Sequence, residues 1–184
     1  MRVHLVPLGQ VPAETLDETA RGLREHAPVD AVVESARTPP DGARASRKDA
    51  WQATSLLEWL DTLPMAGAGK VMGVTEAEIV ARKGNNPTWG ILGMGSLDGR
   101  CSVISTYRMR RRWENGGAPE ALVRERLWKI SLHELGHTLG LDHCPRPGCL
   151  MEDAGGTVKT VDRETSLCER CAQRFAESLR ANAR

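Results

Sequence analysis

Apolar residues recur along the chain at two different spacings, which predict an alternation of strands and helices. Short apolar runs rich in Val, Ile and Leu predict strands over 2–8, 29–35, 70–74, 88–94 and 101–107. Apolar residues three and four positions apart predict helices over 14–27, from about 49 to 63, over 119–139 and over 167–180. Residues 75–78 have the composition of a helix cap and first turn, so a brief helix is expected there.

The order of these elements favours a sheet with parallel neighbours. A strand, a helix and a second strand open the chain, and that succession suggests a parallel pair of strands. The strands over 88–94 and 101–107 are separated by residues 95–99, a segment with two glycines that suits a hairpin connection.

The helix over 119–139 carries the clearest chemical pattern in the chain. His133 and His137 are four residues apart, so they lie only ~40° apart on one helical face and could bind one metal ion. Glu134 lies roughly 100° from His133, where its carboxylate could reach a metal-bound water but is poorly placed as a ligand. An apolar stripe is expected on the opposite side of the helix, formed by Ala121, Trp128, Leu132, Leu135 and Leu139.

A glycine and a third histidine follow this pair. Gly140 has no Cβ, so it can adopt a positive φ, end the helix and let the chain bring His143 towards the first two histidines. Three imidazoles with one open position are typical of a catalytic zinc site. Asp142 is also a possible ligand, but the sequence spacing from Gly140 to the third ligand favours His143. The alternative is a helix with ordinary buried histidines, which three of the five histidines within eleven residues disfavour.

Four of the five cysteines follow this segment in two close pairs. Cys144 and Cys149, with Cys168 and Cys171, make a two-plus-two arrangement that suits a tetrahedral, all-thiolate zinc. Two disulfides, or a redox-active pair at the second two cysteines, are the alternatives. The redox interpretation lacks a preceding thioredoxin-like strand and leaves the first two cysteines unexplained. Cys101 stands in a predicted strand and is expected to be a buried small apolar residue.

The pattern His-Glu-x-x-His-x-x-Gly-x-x-His resembles the metzincin metalloprotease signature. With the cysteines and Met151, the segment 133–171 resembles the archaemetzincin family of metzincin zinc metallopeptidases, and a looser likeness extends back to about Val71. The gap of 16 residues between Met151 and Cys168 is one shorter than the usual family pattern. The resemblance implies a catalytic zinc on the three histidines, a structural zinc on the four cysteines, and a Met-turn at Met151 beneath the site.

The resemblance also implies a fold class and a domain organisation. The expected fold is α+β, with a mixed, largely parallel sheet packed on an active-site helix at 119–140. A single domain would divide into an upper subdomain over about 1–142 and a small zinc-bound C-terminal subdomain over about 143–184. Metzincins carry an antiparallel edge strand that pairs with an extended substrate, and one strand of the 88–107 hairpin is the candidate here.

Composition and charge limit the classes of partner and the cellular location to be expected. A net charge of +1, with 40% hydrophobic and 27% charged residues, describes an ordinary soluble domain and gives no support for nucleic-acid or membrane binding. The N-terminus does not resemble a signal peptide, and no apolar run approaches the ~20 residues that span a bilayer. Paired cysteines fit metal ligation in a reducing compartment, so a cytoplasmic protein is expected, with a monomer as its simplest assembly. The basic run 108–112 fits a solvated loop better than a patch for an acidic peptide.

The expected function is that of a zinc-dependent metallopeptidase. It would use two zinc ions and hydrolyse peptide bonds through a zinc-bound water activated by Glu134. The alternatives are a non-catalytic, zinc-stabilised peptide-binding module and a zinc hydrolase of a non-peptide amide. Glu134 disfavours the first alternative, because a pure binding module has no need of a base at that position.

Overall fold

The structure is a computed structural model that describes residues 1–47, 49–111 and 117–182. Its strands are β1 (Arg2–Pro7), β2 (Asp30–Val33), β3 (Ala50–Gln52), β4 (Lys70–Thr75), β5 (Glu78–Lys83), β6 (Asn86–Ile91), β7 (Gly93–Gly95) and β8 (Cys101–Ser105). Its helices are α1 (Ala13–His26), α2 (Ala53–Thr62), α3 (Thr106–Met109), α4 (Glu120–Thr138), α5 (Val158–Val161) and α6 (Glu169–Ala181).

Five strands form the main sheet in the order β2-β1-β4-β8-β7. The first four are parallel, and β7 pairs antiparallel with β8 through the hairpin that the sequence predicts. The expected parallel pair at the start of the chain is β1 with β2. The fold class is therefore confirmed: a mixed, largely parallel sheet with helices packed against it.

A second sheet, in the order β3-β5-β6, is absent from the sequence prediction. Residues 75–78 do not begin a helix; the Thr75 hydroxyl accepts a hydrogen bond from the backbone N–H of Ala77, and Glu78 begins β5. Trp51 lies in β3 because residues 50–52 pair with β5, so α2 begins only at Ala53.

Two predicted strands also end differently. The strand expected over 88–94 is interrupted at Leu92, which separates β6 in the second sheet from β7 in the main sheet. The strand expected to reach residue 107 ends at Ser105, whose hydroxyl caps α3 by accepting from the backbone N–H of Tyr107 at 3.2 Å. The chain therefore passes from one sheet to the other immediately before the edge strand β7.

Two clusters of buried side chains stabilise the fold, one on each face of the main sheet. Helix α2 contributes Leu56, Leu57 and Leu60 to the smaller cluster. Helices α1, α4 and α6 contribute to the larger one. The apolar stripe predicted for α4 is only partly correct, because Ala121 is exposed and the second half of the helix is enclosed on nearly all sides. That half carries His133 and Glu134, so the fold places these chemical groups on an enclosed stretch of helix.

A buried arginine joins α4 to two neighbouring segments. The Arg126 side chain is 1% exposed, and its Nε and Nη2 each donate to the Asp162 carboxylate at 2.6 Å. Its Nη1 donates to the carbonyl oxygens of Met109 and Arg111. The planar guanidinium satisfies all these acceptors at once, as a lysine could not.

The predicted basic run 108–112 is not a free loop where the structure describes it. Arg108 pairs with Glu78, and Arg110 pairs with Glu76 and Glu120. Arg112 and the residues 113–116 that follow it lie outside the described residues. Within the described part of the chain, the helices are too short or too polar to cross a membrane.

Glu164 is a buried carboxyl without a hydrogen-bond partner for either oxygen. Its pKa is raised to about 8, mainly by burial; the charge of Lys129 opposes the shift, and the charges of Glu152 and Asp162 add to it. In the unfolded chain this carboxyl has its ordinary pKa of about 4.5. The raised pKa in the folded protein therefore contributes stability that is fully present below about pH 4.5 and is lost as the pH rises towards about 8.

We expect Glu164→Gln to become more stable than the wild type as the pH rises, because the amide cannot ionise. Between about pH 5 and about pH 9, the free energy of unfolding of Glu164→Gln should rise by a few kcal/mol relative to that of the wild type, since each pKa unit corresponds to about 1.4 kcal/mol. Denaturant unfolding of both proteins at each pH measures it, with the exposed Glu177→Gln as control. A stability difference that does not vary with pH would contradict the expectation.

Candidate active site and cysteine cluster

Helix α4 presents His133 and His137 side by side, as the four-residue spacing requires. Each Nδ1 bonds a backbone carbonyl: His133 to Leu150 at 2.6 Å and His137 to Leu141 at 2.7 Å. Because a carbonyl oxygen only accepts, each Nδ1 carries the proton and each Nε2 keeps its lone pair. The two Nε2 atoms are 3.0 Å apart. Tetrahedral zinc with bonds of about 2.0–2.1 Å places its nitrogen ligands roughly 3.3 Å apart, so the pair fits the metal.

The end of α4 brings in the third histidine. Gly140 has φ 81°, and the N–H groups of Gly140 and Leu141 donate to the carbonyls of His137 and Gly136. This is the glycine-terminated helix end that the sequence predicts. The ring centroid of His143 then lies 4.8 Å from that of His137, and the ligand nitrogens of the three histidines lie within 4.8 Å of one another.

Burial keeps the two helical histidines neutral. Burial, with a smaller contribution from His137, lowers the pKa of His133 to about 3. Burial also lowers the pKa of His137 below its usual range. Neutral imidazoles are the form that binds metals, so both rings are prepared as ligands near neutral pH.

Glu134 lies against the edge strand of the main sheet. Its side chain is almost fully enclosed, and burial raises its pKa to about 8, although a backbone hydrogen bond from Gly95 opposes the shift. A Cβ on Gly93 would lie 2.5 Å from Glu134 Oε1, and one on Gly95 would lie 2.8 Å from the Cβ of His137. The strand therefore approaches the helix this closely only because both positions are glycine, a role that their sequence did not signal.

A cleft of about 370 Å³ opens above these residues. Asp142 lines it and is exposed, so the structure places that side chain at the cleft mouth beside His143. Asp153 lines the cleft as well and interacts electrostatically with His143 and His133. Sequence reasoning did not single out Asp153, because nothing local to its position indicates that the chain returns to the histidines. The apolar part of the lining consists of Ile91, Leu92, Met94, Leu97, Ile130 and Ala154.

Met151 lies directly beneath the helix that carries the histidines. It is fully buried, and a Cβ on Gly136 would lie 2.7 Å from its sulfur. The backbone N–H of Cys144 donates to the Met151 carbonyl at 2.7 Å, which ties the segment after His143 to this methionine. The position agrees with the Met-turn that the resemblance implies.

The four cysteines predicted as a second ligand set are brought together. Their sulfur atoms lie within 4.8 Å of one another, and all are free thiols. The sulfurs of Cys144 and Cys168 are 3.8 Å apart, far longer than a disulfide bond of about 2.05 Å. Tetrahedral zinc with bonds of about 2.3 Å separates its sulfur ligands by roughly 3.8 Å, so the donor set fits the metal. Cys101 is buried in β8, as expected, and its thiol donates to Asp61 at 3.6 Å.

Backbone hydrogen bonds and the dipole of α6 favour a thiolate at part of this cluster. The N–H of Cys168 donates to the sulfur of Cys149 at 3.3 Å. A hydrogen bond from the backbone N–H of Cys171 lowers the pKa of Cys168 to about 7, whereas burial raises the pKa of Cys171 well above its usual range. Cys168 stands at the N-terminus of α6, where the helix dipole also favours negative charge.

The cluster is also joined to the histidines. Cys149 is followed by Leu150, whose carbonyl accepts the Nδ1–H of His133 and so orients that ring. Cys144 follows His143 directly. Cys149 thus adjoins the residue that orients His133, and Cys144 adjoins His143 itself.

Known proteins resemble this chain along most of its length. Peptidase family M54 matches residues 50–177. The chain is 34% identical to an archaemetzincin of Haloquadratum walsbyi and 35% identical to one of Halobacterium salinarum, in each case over 93% of this chain and 97% of the relative. The crystal structure of archaemetzincin from Methanopyrus kandleri superposes with a TM-score of 0.80 at 26% identity, covering 98% of this chain and 96% of that one. Archaemetzincin from Archaeoglobus fulgidus, complexed with malonate, gives 0.77 at 28%, covering 95% and 99%.

Proposed function

This chain belongs to peptidase family M54, whose members are zinc metallopeptidases, and from that premise we propose that His133, His137 and His143 bind its catalytic zinc and that Glu134 is its general base. The observation that carries the assignment is the convergence of three imidazoles beside one enclosed carboxyl. A zinc ion bound by these three histidines would act as a Lewis acid, polarising the scissile carbonyl and lowering the pKa of a bound water. The two helical histidines are held in the required tautomer by Leu150 and Leu141.

Glu134 has the position and the environment of a proton carrier. It lies between the histidines and the edge strand, where a peptide bond held along the cleft would pass. In its ionised form, an enclosed carboxylate with a raised pKa is a stronger base towards the attacking water than an exposed carboxylate. The same group then gives that proton to the departing amine, and no covalent bond to the enzyme forms.

Among the described residues, β7 is an edge strand of the main sheet, and this position supports binding of an extended peptide. β7 pairs with β8 on one side, and its residues Gly93–Gly95 line the cleft on the other. A peptide added there would bond to backbone groups and needs no dedicated side chains. We therefore propose β7 as the substrate-binding strand. We also propose a single domain that divides into two subdomains near residue 142.

The cysteine cluster is proposed as a second, structural zinc site. Four sulfurs leave no position open for substrate, which distinguishes this site from the histidine site. Free thiols at these separations also support a reducing, cytoplasmic location and disfavour the disulfide alternative. A peptide or protein substrate and a monomeric chain complete the proposal.

We expect two zinc ions per chain in protein prepared under reducing conditions without chelator. Elemental analysis measures the stoichiometry, and incubation with defined peptide libraries followed by mass spectrometry tests hydrolysis. The thiolate-bound ion should be removed more slowly by chelators, because its ligands are four and its site is closed. A stoichiometry near one would show that one ligand set is misassigned, and binding of peptides without cleavage would favour the non-catalytic alternative.

A further inference from the structure

The two walls of the active-site cleft meet at one end. One wall is β7 with the preceding Ile91 and Leu92, and the other is the segment Asp153–Gly156 that follows Met151. A Cβ on Gly156 would overlap the carbonyl oxygen of Gly90, and the indole N–H of Trp89 donates to the Gly155 carbonyl at 3.3 Å. The cleft is therefore closed where β6 passes the loop, and we call this contact the closed end.

Buried charge holds the closed end together. The Arg108 guanidinium donates to Glu78 Oε1 at 2.8 and 3.1 Å and also to the Gly156 carbonyl at 3.4 Å. A side chain on Gly90 would overlap that guanidinium. Glu78 is almost fully enclosed and Arg108 is largely enclosed. Their ion pair therefore belongs to the packed interior and stabilises the contact between β6 and the loop.

The space between the base and the closed end is short. Glu134 lies beside Gly93, and three residue steps separate Gly93 from the contact at Gly90. At about 3.3 Å per residue, a fully extended chain would cover those steps in at most roughly 10 Å, and the interruption at Leu92 shortens that span. A peptide whose scissile bond is at Glu134 therefore has room for at most about three residues before it reaches the closed end.

The charges at the closed end suit a carboxylate. Lys83 lies over the Trp89 ring at 5.1 Å, and its ammonium is 3.8 Å from the position of a Cβ on Gly155. Arg108 shares the single carboxylate of Glu78 with Arg47. Asp153 interacts electrostatically with Lys83 and offsets one cation, but a net positive charge remains. A terminal ammonium would be repelled there.

Strand direction agrees with that charge. β7 runs from Gly93 to Gly95, away from the closed end. A peptide with its C-terminus at the closed end would run in the opposite direction along β7 and would form an antiparallel pair, the slightly more stable of the two pairings.

We propose that this protein is a peptidase of C-terminal ends that removes a fragment of one to three residues, an inference that rests on the hydrolytic function proposed above. The reaction adds water across one C–N bond. The upstream chain leaves with a new carboxylate, and the short fragment leaves with the amine and the original C-terminus. Lys83, an exposed cation beside the Gly155 wall of the cleft, is assigned the attraction of that original carboxylate.

The test uses one peptide sequence in three forms: with free ends, acetylated at the N-terminus, and amidated at the C-terminus. With the zinc-loaded enzyme, mass spectrometry should show cleavage within three residues of the free C-terminus, no effect of acetylation, and a loss of roughly tenfold on amidation. Cleavage far from both ends, or within three residues of the N-terminus, would overturn the inference.

A binding measurement separates this inference from the proposed chemistry. The zinc-loaded Glu134→Gln protein should bind the free-acid peptide roughly tenfold more tightly than the amide in calorimetry. Equal binding would overturn the inference even if the enzyme cleaves peptides. Absence of hydrolysis in the wild type together with this preference would contradict the peptidase function and leave the cleft assignment supported.

Charge reversal at the closed end completes the test. Lys83→Glu should bring the ratio of free-acid to amide binding close to one. Arg82→Glu makes the same change of charge on the neighbouring exposed residue and should retain the ratio. An unchanged ratio in Lys83→Glu would remove Lys83 from the assignment.

Discussion

Glu134→Gln is expected to lower peptide hydrolysis by about 10²–10⁴-fold while zinc content and folding are retained. The amide keeps the shape of the carboxyl in a position enclosed by Gly93 and the helix, so packing is unchanged. It cannot accept a proton from water, so the loss falls on the chemical step. Rates measured by mass spectrometry on a peptide that the wild type cleaves, with elemental analysis of zinc in parallel, give the comparison.

The matched control for that prediction is Asp153→Asn. It makes the same carboxylate-to-amide change in the same cleft, but Asp153 is exposed and accepts a hydrogen bond from the Gly155 N–H at 2.7 Å. We expect it to retain most of the activity. If Glu134→Gln kept its activity and Asp153→Asn lost it, Asp153 would be the base and the assignment of Glu134 would be wrong.

Cys144→Ser and Cys149→Ser are expected to weaken the catalytic zinc site as well as their own. Cys144 adjoins His143 in the chain, and Cys149 precedes the Leu150 carbonyl that orients His133 at 2.6 Å. Loss of the cluster therefore loosens two of the three histidine ligands. Groups that support metal ligands commonly contribute roughly 10–100-fold to affinity or activity, and a decrease of that order in affinity for the catalytic zinc is expected.

Zinc titration against a competing chelator, with the folded fraction followed by circular dichroism, measures this coupling. Cys101→Ser is the control, because that thiol is buried in β8 away from both ligand sets and should leave both zinc ions in place. A folded Cys144→Ser protein with unchanged affinity at the histidines would show that the two sites are independent.

Features determined by neighbouring residues could be predicted from the sequence. The spacing of His133 and His137 follows from the helical repeat, and the turn at Gly140 follows from the absence of a Cβ. The buried inner face of α6, with Cys171, Phe175 and Leu179, likewise follows from its helical period. These arguments need no knowledge of distant segments, and the structure agrees with them.

Features determined by distant pairing could not be predicted. Residues 78–83 became a strand only because β3 and β6 lie on either side of them. The polar start of that segment suggested a helix, since its local composition carried no information about those partners. Asp153 lines the cleft for a similar reason: the path of the chain after Met151 is set by contacts with Trp89 and Arg108. Tertiary context, rather than propensity, decides such segments.

The enclosed pair of Arg126 and Asp162 responds to ionic strength differently from the pairs on the surface. Exposed pairs such as Arg44 with Asp41 are weakened by dissolved ions, whose screening length falls from about 10 Å at 0.1 M to about 3 Å at 1 M salt. Ions cannot enter the space around a guanidinium that is 1% exposed. The attachment of α4 to α5 should therefore persist in concentrated brine, so that the helix carrying His133 and His137 keeps its orientation while the surface network loosens.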